Sequence, residues 1–402
     1  MADDQFDIVI SGGGPAGLTA AAALANAGFK LLLVDPTAPT TRGDAATSDL
    51  RSTAFLQPAR DLFQTAGVWD RLSGAAVPLR ALRIVDTVGT PPTIRDERAF
   101  LPSELGADVF GWNFLNWVIR RELVAHLQAQ GRVTLKFGTG FKSMLRRTSG
   151  AIVSLTDGTR VRARLVVGAD GRDSAVREAA GIGVSTTRYG QKSLAFTATH
   201  ERPHENISTE IYHEGGPFTM VPLDDIDGKP ASAIVWMNQG KRAHDLLKME
   251  PAQFNAEMTE RAAGLSGNME LASRRGMFPI ISQRAERLTA QHCAIIAEAA
   301  HVLPPIGAQG LNTSLNDVAA LLEAAVTHRD ELGGERMLAS YEHARARDIS
   351  RRARAIDLFN RVTRSGNPGL QSLRLAGLKA AHDMAPVRRS LMRAGMGPDA
   401  TH

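Results

Sequence analysis

The first chemistry legible in this chain lies in three glycines at fixed spacing. Gly12, Gly14 and Gly17 occupy the positions of G-x-G-x-x-G, with Pro15 and Ala16 inside the same turn. The first glycine permits a tight turn, the second lets backbone amides approach a pyrophosphate, and the third lets helix and strand pack closely. Asp35, eighteen residues after Gly17, is placed to accept hydrogen bonds from both ribose hydroxyls of a dinucleotide. Two other residue types invite a chemical reading. His301 has no partner acid or serine placed by the sequence, so a packed strand-end histidine is expected. Cys293, the one cysteine, reads as a small buried hydrophobe.

The elements around the glycines are those such a turn needs. FDIVI, residues 6 to 10, is an apolar run of the kind found in a buried parallel strand. LTAAAALANAG follows as an alanine-rich helix stopped by Gly28, and KLLLVD is a second strand ending at Asp35. This βαβ unit aims a helix N-terminus at the phosphates. It predicts dinucleotide binding without separating FAD from NAD. Further along, PTAPTTRGDAATSDL reads as a loop, and RSTAFLQPARDLFQTAGVWDRL and FLNWVIRRELVAHLQAQG as helices. Residues 79 to 110 suggest strands, and several β-runs fill Ser193 to Ser282 with one helical patch near Ala252 to Ala263. CAIIAEAAH reads as a strand reaching a turn, before the helix LNTSLNDVAALLEAAVTH.

Composition narrows the function classes. The 402 residues are 43% hydrophobic and 22% charged, a globular balance with room for two to three domains. No apolar run is long enough to span a bilayer. The acids of MADDQFD stand where a signal peptide carries positive charge, so secretion is not expected. One cysteine excludes a disulfide framework and a cysteine-cluster metal site, fits a reducing cytosol, and leaves no metal expected. The net charge of +5 is unevenly spread: Arg345 to Gly397 holds twelve Lys and Arg against three Asp. Aromatic residues are only 5%, so no nucleic-acid partner is expected. Around Ile349, Ile356, Phe359 and Val362, then Leu370, Leu373 and Leu378, apolar residues recur at helical spacing among the arginines, a pattern suited to an anionic membrane surface or a partner's groove.

Three separated segments then form one pattern: GGGPAGLTAAAALANAG…LLLVD, LVVGADGRDSAVR at 165 to 177, and IIAEAAHVLPPIGAQGLNTSLNDVAAL at 295 to 321. Together they resemble the class A flavoprotein monooxygenases, and the third is most similar to the UbiH-type ubiquinone-biosynthesis hydroxylases. The resemblance implies an α/β fold of para-hydroxybenzoate hydroxylase type. A Rossmann-type FAD-binding domain (1–78, 111–184 and 283–340) would carry an inserted β-sheet-rich substrate domain (79–110 and 185–282) and a basic helical C-terminal region (341–402). By the same resemblance Asp170 lies near the FAD pyrophosphate and riboflavin. Glu298 stands where the family often has Asp, contacting the ribityl chain. Pro305, beside Pro304, stiffens the backbone passing the flavin ring, and Gly307 and Gly310 leave room for it. Leu311 and Asn312 open a helix whose N–H groups face the flavin N1/C2=O edge. Arg51 resembles the arginine that reaches the flavin from a helix start, and Asn116 a polar residue touching FAD. Ala297, Pro304, Ala308 and Ser314 replace family residues.

The resemblance implies FAD as cofactor, reduction by NAD(P)H or another external donor, reaction with O2 to a flavin C4a-hydroperoxide, and oxygen transfer to an electron-rich phenolic ring. With no second G-x-G-x-x-G, no separate nicotinamide domain is expected. The expected substrate is a lipophilic polyprenylated phenol, with the protein cytoplasmic, peripheral to the inner membrane, and in contact with a biosynthetic complex through its basic C-terminal region. A flavin hydroxylase of a small soluble aromatic acid, and a non-catalytic flavoprotein subunit, are the alternatives. No catalytic residue is assigned; Tyr212, His213 and His200 are the candidates for a base.

Overall fold

A computed structural model describes residues 4–363 and 382–396. The nucleotide-binding half is built on five parallel strands in the order Cys293–Ile295, Arg160–Gly168, Asp4–Ser11, Leu31–Asp35, Val133–Phe137. Ile8, Val9 and Ile10 of the central strand are fully buried, as covering on both faces requires. Helix Pro15–Asn26 lies so close to the sheet and to helices Asn116–Gln130 and Gln309–Thr327 that Ala20 to Ala23 are buried on every side. Larger side chains would hold those layers apart. A hairpin, Phe141–Arg147 and Gly150–Leu155, extends the sheet antiparallel to Arg160–Gly168.

The second sheet has nine strands. Its main path runs His301–Val302, Gly276–Ala285, Val184–His200, Lys229–Gln239, Phe218–Ile226, Ile207–Tyr212, Ala81–Val88, Thr93–Phe100. Strand alternation sends Phe196, Ile211, Phe218 and Trp236 to one face, where Leu246, Phe254 and Met258 from two helices (Gly240–Lys248 and Pro251–Arg261) cover them. Residues of opposite parity turn toward the nucleotide-binding half, where Tyr189, Met237 and Ile280 pack with Ile306. A three-stranded sheet, Ser52–Leu56, Gly111–Leu115 and Val77–Leu79, sits at the junction; Asn113 Nδ2 donates to Pro222 O at 2.8 Å to tie it to the large sheet.

Several expected elements are shifted. Residues 52–56 and 111–115 are strands, and the helices start only at Gln57 and Asn116. β-branched and aromatic residues pair there, with Phe55 and Phe114 in edge-to-face contact at 5.8 Å. The third-segment helix opens at Gln309, two residues before Leu311. Strand Gly276–Ala285 runs across the boundary expected at 282, and His301–Val302 joins the large sheet from the segment assigned to the nucleotide domain.

The C-terminal region divides between buried and exposed side chains. Ile349 and Ile356 are buried along helix Glu335–Thr363 and meet the body of the protein, while Leu358 of the same helix is 65% exposed. The side chains of Phe359 and Val362, and all of Leu370, Leu373 and Leu378, lie outside the described residues. Helix Ala385–Met396 docks Met392 among Leu79, Phe100 and Phe110, and Arg388 pairs with Glu104 at 2.7 Å.

Candidate functional site

The glycine turn lies at the carboxyl ends of the parallel strands, the position where open α/β sheets bind ligands. A Cβ on Gly12, whose φ is +119°, would stand 2.2 Å from Ala169 O, and one on Gly17 2.1 Å from Gly12 O. Those two glycines serve close packing. Gly14 differs: a Cβ there meets nothing within 4 Å. Gly14 also caps helix Pro15–Asn26, whose first turn carries no acid and no side-chain cap, leaving N–H groups open toward the space beside it. Asp35 stands across the turn, accepting from Gly13 N at 2.6 Å and Thr37 N at 2.8 Å. Its carboxylate therefore fixes the turn, with lone pairs remaining for a ligand.

The second segment meets the first directly, since Ala169 N donates to Ser11 O at 2.8 Å. Asp170 is turned into its own chain. Its carboxylate takes the Ser174 hydroxyl and, at 3.1 Å, the Val176 amide of the short helix Ala175–Ala179. Burial pushes its pKa above the ordinary Asp value, against those hydrogen bonds. The third segment follows: Ile296 N donates to Gly168 O at 2.9 Å.

Helix Gln309–Thr327 likewise starts without an acid or a side-chain cap, after a left-handed Ala308. Pro305 and Gly307 are exposed in the preceding loop, and a Cβ on Gly310 would meet nothing within 4 Å. Gly310 and Leu311 thus lie in an open first turn. The Asn312 side chain has another task. It accepts from Leu56 N at 3.0 Å and donates to Ala54 O at 2.7 Å, holding the helix start to strand Ser52–Leu56.

Arg51 and Asn116 are brought together by a residue that the sequence reading passed over. Asp49 takes both arms of Arg51 at 2.8 Å, Asn116 Nδ2 at 3.1 Å, and lies 3.5 Å from Arg120. Burial works against its charge, yet Arg51, Asn116 and Arg120 hold its pKa below the usual range. The Arg51 guanidinium stacks 4.5 Å from the Phe278 ring and interacts with exposed Glu298. Arg51 precedes a strand rather than opening a helix.

Two further groups were invisible to spacing. His301 does have an acid: Asp317, sixteen residues on, meets its Nε2 at 2.6 Å and also accepts from Ala297 N and Arg345 Nε, each at 2.9 Å. All are buried, and Arg345 continues to Asp348, then Arg352, then Gln309 at the helix start. Ala297 has φ +56°, so Asp317 clamps a left-handed turn whose next residue is Glu298. The other group is Glu210 with Tyr212. His200, by contrast, is bonded to Ser232 and Arg202 O, and His213 to Thr87.

Comparison with known proteins places the chain in a family. A family model described as FAD binding domain matches residues 5–355. Ubiquinone hydroxylase UbiL of Rhodospirillum rubrum is 32% identical over 98% of this chain and 90% of its own. The 3-demethoxyubiquinol 3-hydroxylase of Escherichia coli is 27% identical over 99% and 100%. Among solved structures, p-nitrophenol 4-monooxygenase PnpA from Pseudomonas putida superposes with a TM-score of 0.78 at 16% identity, covering 97% of both chains. At that identity the likeness concerns the fold.

Proposed function

The chain belongs to the FAD binding domain family, and from that premise we propose that it hydroxylates the aromatic ring of a polyprenylated phenol in ubiquinone biosynthesis. The observation that carries this reading is full-length similarity to ubiquinone hydroxylases, at 32% identity for the Rhodospirillum rubrum protein. The residues present fit FAD. The space beside Gly14 and the uncapped start of helix Pro15–Asn26 would take the pyrophosphate, with Pro15 and Ala16 shaping the approach. Asp35 would hold a ribose, and the Asp49-anchored Arg51 with Asn116 and Glu298 would line the middle of the molecule. Gly307, Gly310 and the amides of Gly310 and Leu311 would flank the ring.

Bound FAD supplies electron transfer and the activation of O2, with NAD(P)H or another external reductant as the source of electrons. The protein's residues orient and exclude. The uncapped start of helix Gln309–Thr327 stabilises negative charge placed before it, by about 0.3–2 kcal/mol. The half-buried Ile84, Thr219, Val221 and Val235 share the face of the large sheet turned toward this loop, a surface suited to an apolar ring. Extracting lipids from a strain lacking the gene tests the reading. Accumulation of an under-hydroxylated prenylated quinone precursor is expected, restored by the wild-type chain; an unchanged quinone profile refutes it.

Peripheral membrane docking through the C-terminal region belongs to the same proposal, and the last described helix supports it. Exposed Leu101 and Met384 flank, in sequence, the Phe100–His382 stack, and exposed Arg389 and Arg393 follow on helix Ala385–Met396. Apolar tips beside arginines suit an anionic lipid surface. The variant R389E/R393E is expected to lose cosedimentation with anionic liposomes while keeping its flavin; unchanged sedimentation refutes it. Contacts with a biosynthetic complex would use the same region.

A further inference from the structure

Glu210 is the acid in this fold with the least obvious reason to be buried. It lies on strand Ile207–Tyr212 and is 7% exposed. Its register partners are Ile84 on one side and Thr219 on the other. Ile211 points to the helix-covered core, so Glu210 and Tyr212 point the other way, toward the loop that precedes helix Gln309–Thr327. Two groups fix its carboxyl: the Tyr212 hydroxyl donates to Oε2 at 2.5 Å, and the Gly307 N–H donates from the loop. A carboxylate has about four acceptor positions, so two bonds orient it and leave capacity for a third partner. A purely structural acid here would be costly, since the same tie between sheet and loop could be made by a neutral amide.

We propose that Glu210 accepts the phenolic proton of the substrate ring, with Tyr212 and Gly307 as the residues that position it. In this step the phenol O–H bond breaks, an O–H bond forms on a Glu210 oxygen, and the electron pair stays on the phenolic oxygen. That pair enriches the ring at the carbons ortho and para to it. No oxidant is needed for the transfer. The inference rests on the hydroxylase reading above.

The surroundings suit the task. Burial pushes the Glu210 pKa above the ordinary Glu value, against the bonds from Tyr212 and Gly307. A base that holds its proton more firmly than a surface glutamate is better matched to a phenol. The ionisable groups facing it are Tyr212 on its own strand and Asp86, the register partner of Tyr212. Asp86 is itself engaged by Arg95 Nε at 2.7 Å.

The test uses the flavin-loaded enzyme, 2-prenylphenol and its progressively more acidic ring-fluorinated relatives. E210Q keeps an oxygen for Tyr212 and Gly307, so flavin content and melting temperature should match wild type. Its kcat is expected to fall by about 10²–10⁴ with KM little changed, and the acid limb of the pH–kcat profile should disappear. The deficit should shrink as the phenol becomes more acidic, because less of the barrier is then proton removal. A deficit uniform across the series with an unaltered pH profile overturns the proposal, as does full activity. Tyr212→Phe provides a second arm: removing a donor from the carboxylate should move the acid limb to higher pH, and an unmoved limb counts against the idea. A wild-type enzyme inactive on every phenol would instead overturn the hydroxylase reading itself.

Discussion

Replacing Asp317 by Asn changes one oxygen to a nitrogen at a fully buried carboxylate shared by three donors. Asp317 is fully buried and accepts from His301 Nε2, Ala297 N and Arg345 Nε. Asparagine retains one acceptor oxygen and presents an NH2 group to donors, so at least one contact becomes donor against donor. The charge on Arg345, whose side chain is 4% exposed, then relies on Asp348 at 2.9 Å and the Thr313 carbonyl. Breaking a buried ion pair from one side costs about 3–5 kcal/mol. The surviving Asp348 contact places Asp317→Asn near the lower end, about 3 kcal/mol. Denaturant unfolding of the flavin-free protein measures it. The loss also has a pH signature. The buried Asp317 carboxylate would titrate high, but His301 and Arg345 hold its pKa below the usual Asp value. Its contribution is therefore complete above the unfolded pKa of about 3.9 and is lost as pH falls through the depressed folded value. The gap between wild type and variant should be constant near neutrality and close in acid. A cost under about 1 kcal/mol, the level of an exposed ion pair, or a gap that widens in acid, would refute this account of the network.

The glycine turn gives a paired test. Gly12→Ala must move the Ala169 carbonyl, because the new Cβ would sit 2.2 Å from it at φ +119°; lower stability is expected with or without flavin, read by melting. Gly14→Ala has open space and an ordinary φ of −74°, so the flavin-free protein should melt no lower than wild type while flavin occupancy, read by visible absorbance, falls. Equal behaviour of the two variants would refute the division of labour drawn here. Cys293 is fully buried, and burial pushes its thiol up to about 12. A thiol reagent should leave it unmodified in the native protein at mildly alkaline pH and titrate one thiol after denaturation; rapid native labelling would contradict that burial.

What spacing could reveal was local. The turn at Gly12 to Gly17 and its flanking strands were legible because a phosphate-binding βαβ unit needs its residues within about thirty positions. The strand Ser52–Leu56 was read as helix because its apolar residues also fit a helical stripe; pairing with Gly111–Leu115 decides the matter, and that partner is far along the chain. Asp49 carried no signal, since its value comes from gathering Arg51, Asn116 and Arg120. Glu210 and Asp317 escaped for the same reason. Each looks like one acid among the chain's 42 Asp and Glu until burial separates it from the solvated ones.

The excess of arginine at the C-terminal end divides along this line as well. Arg345 and Arg352 look like members of a basic surface run, yet they are buried or nearly so. They link Asp317, Asp348 and the Gln309 side chain at the start of helix Gln309–Thr327. A net positive tail would bind an anionic surface only with charges that remain outside. The charges inside instead neutralise acids that hold Ala297 in its left-handed turn and anchor the helix start. Helix Glu335–Thr363 is therefore a part of the frame that holds the start of helix Gln309–Thr327. A truncation before Arg345 would test that frame, whereas reversing Arg389 and Arg393 tests the last described helix, away from Asp317 and Gln309.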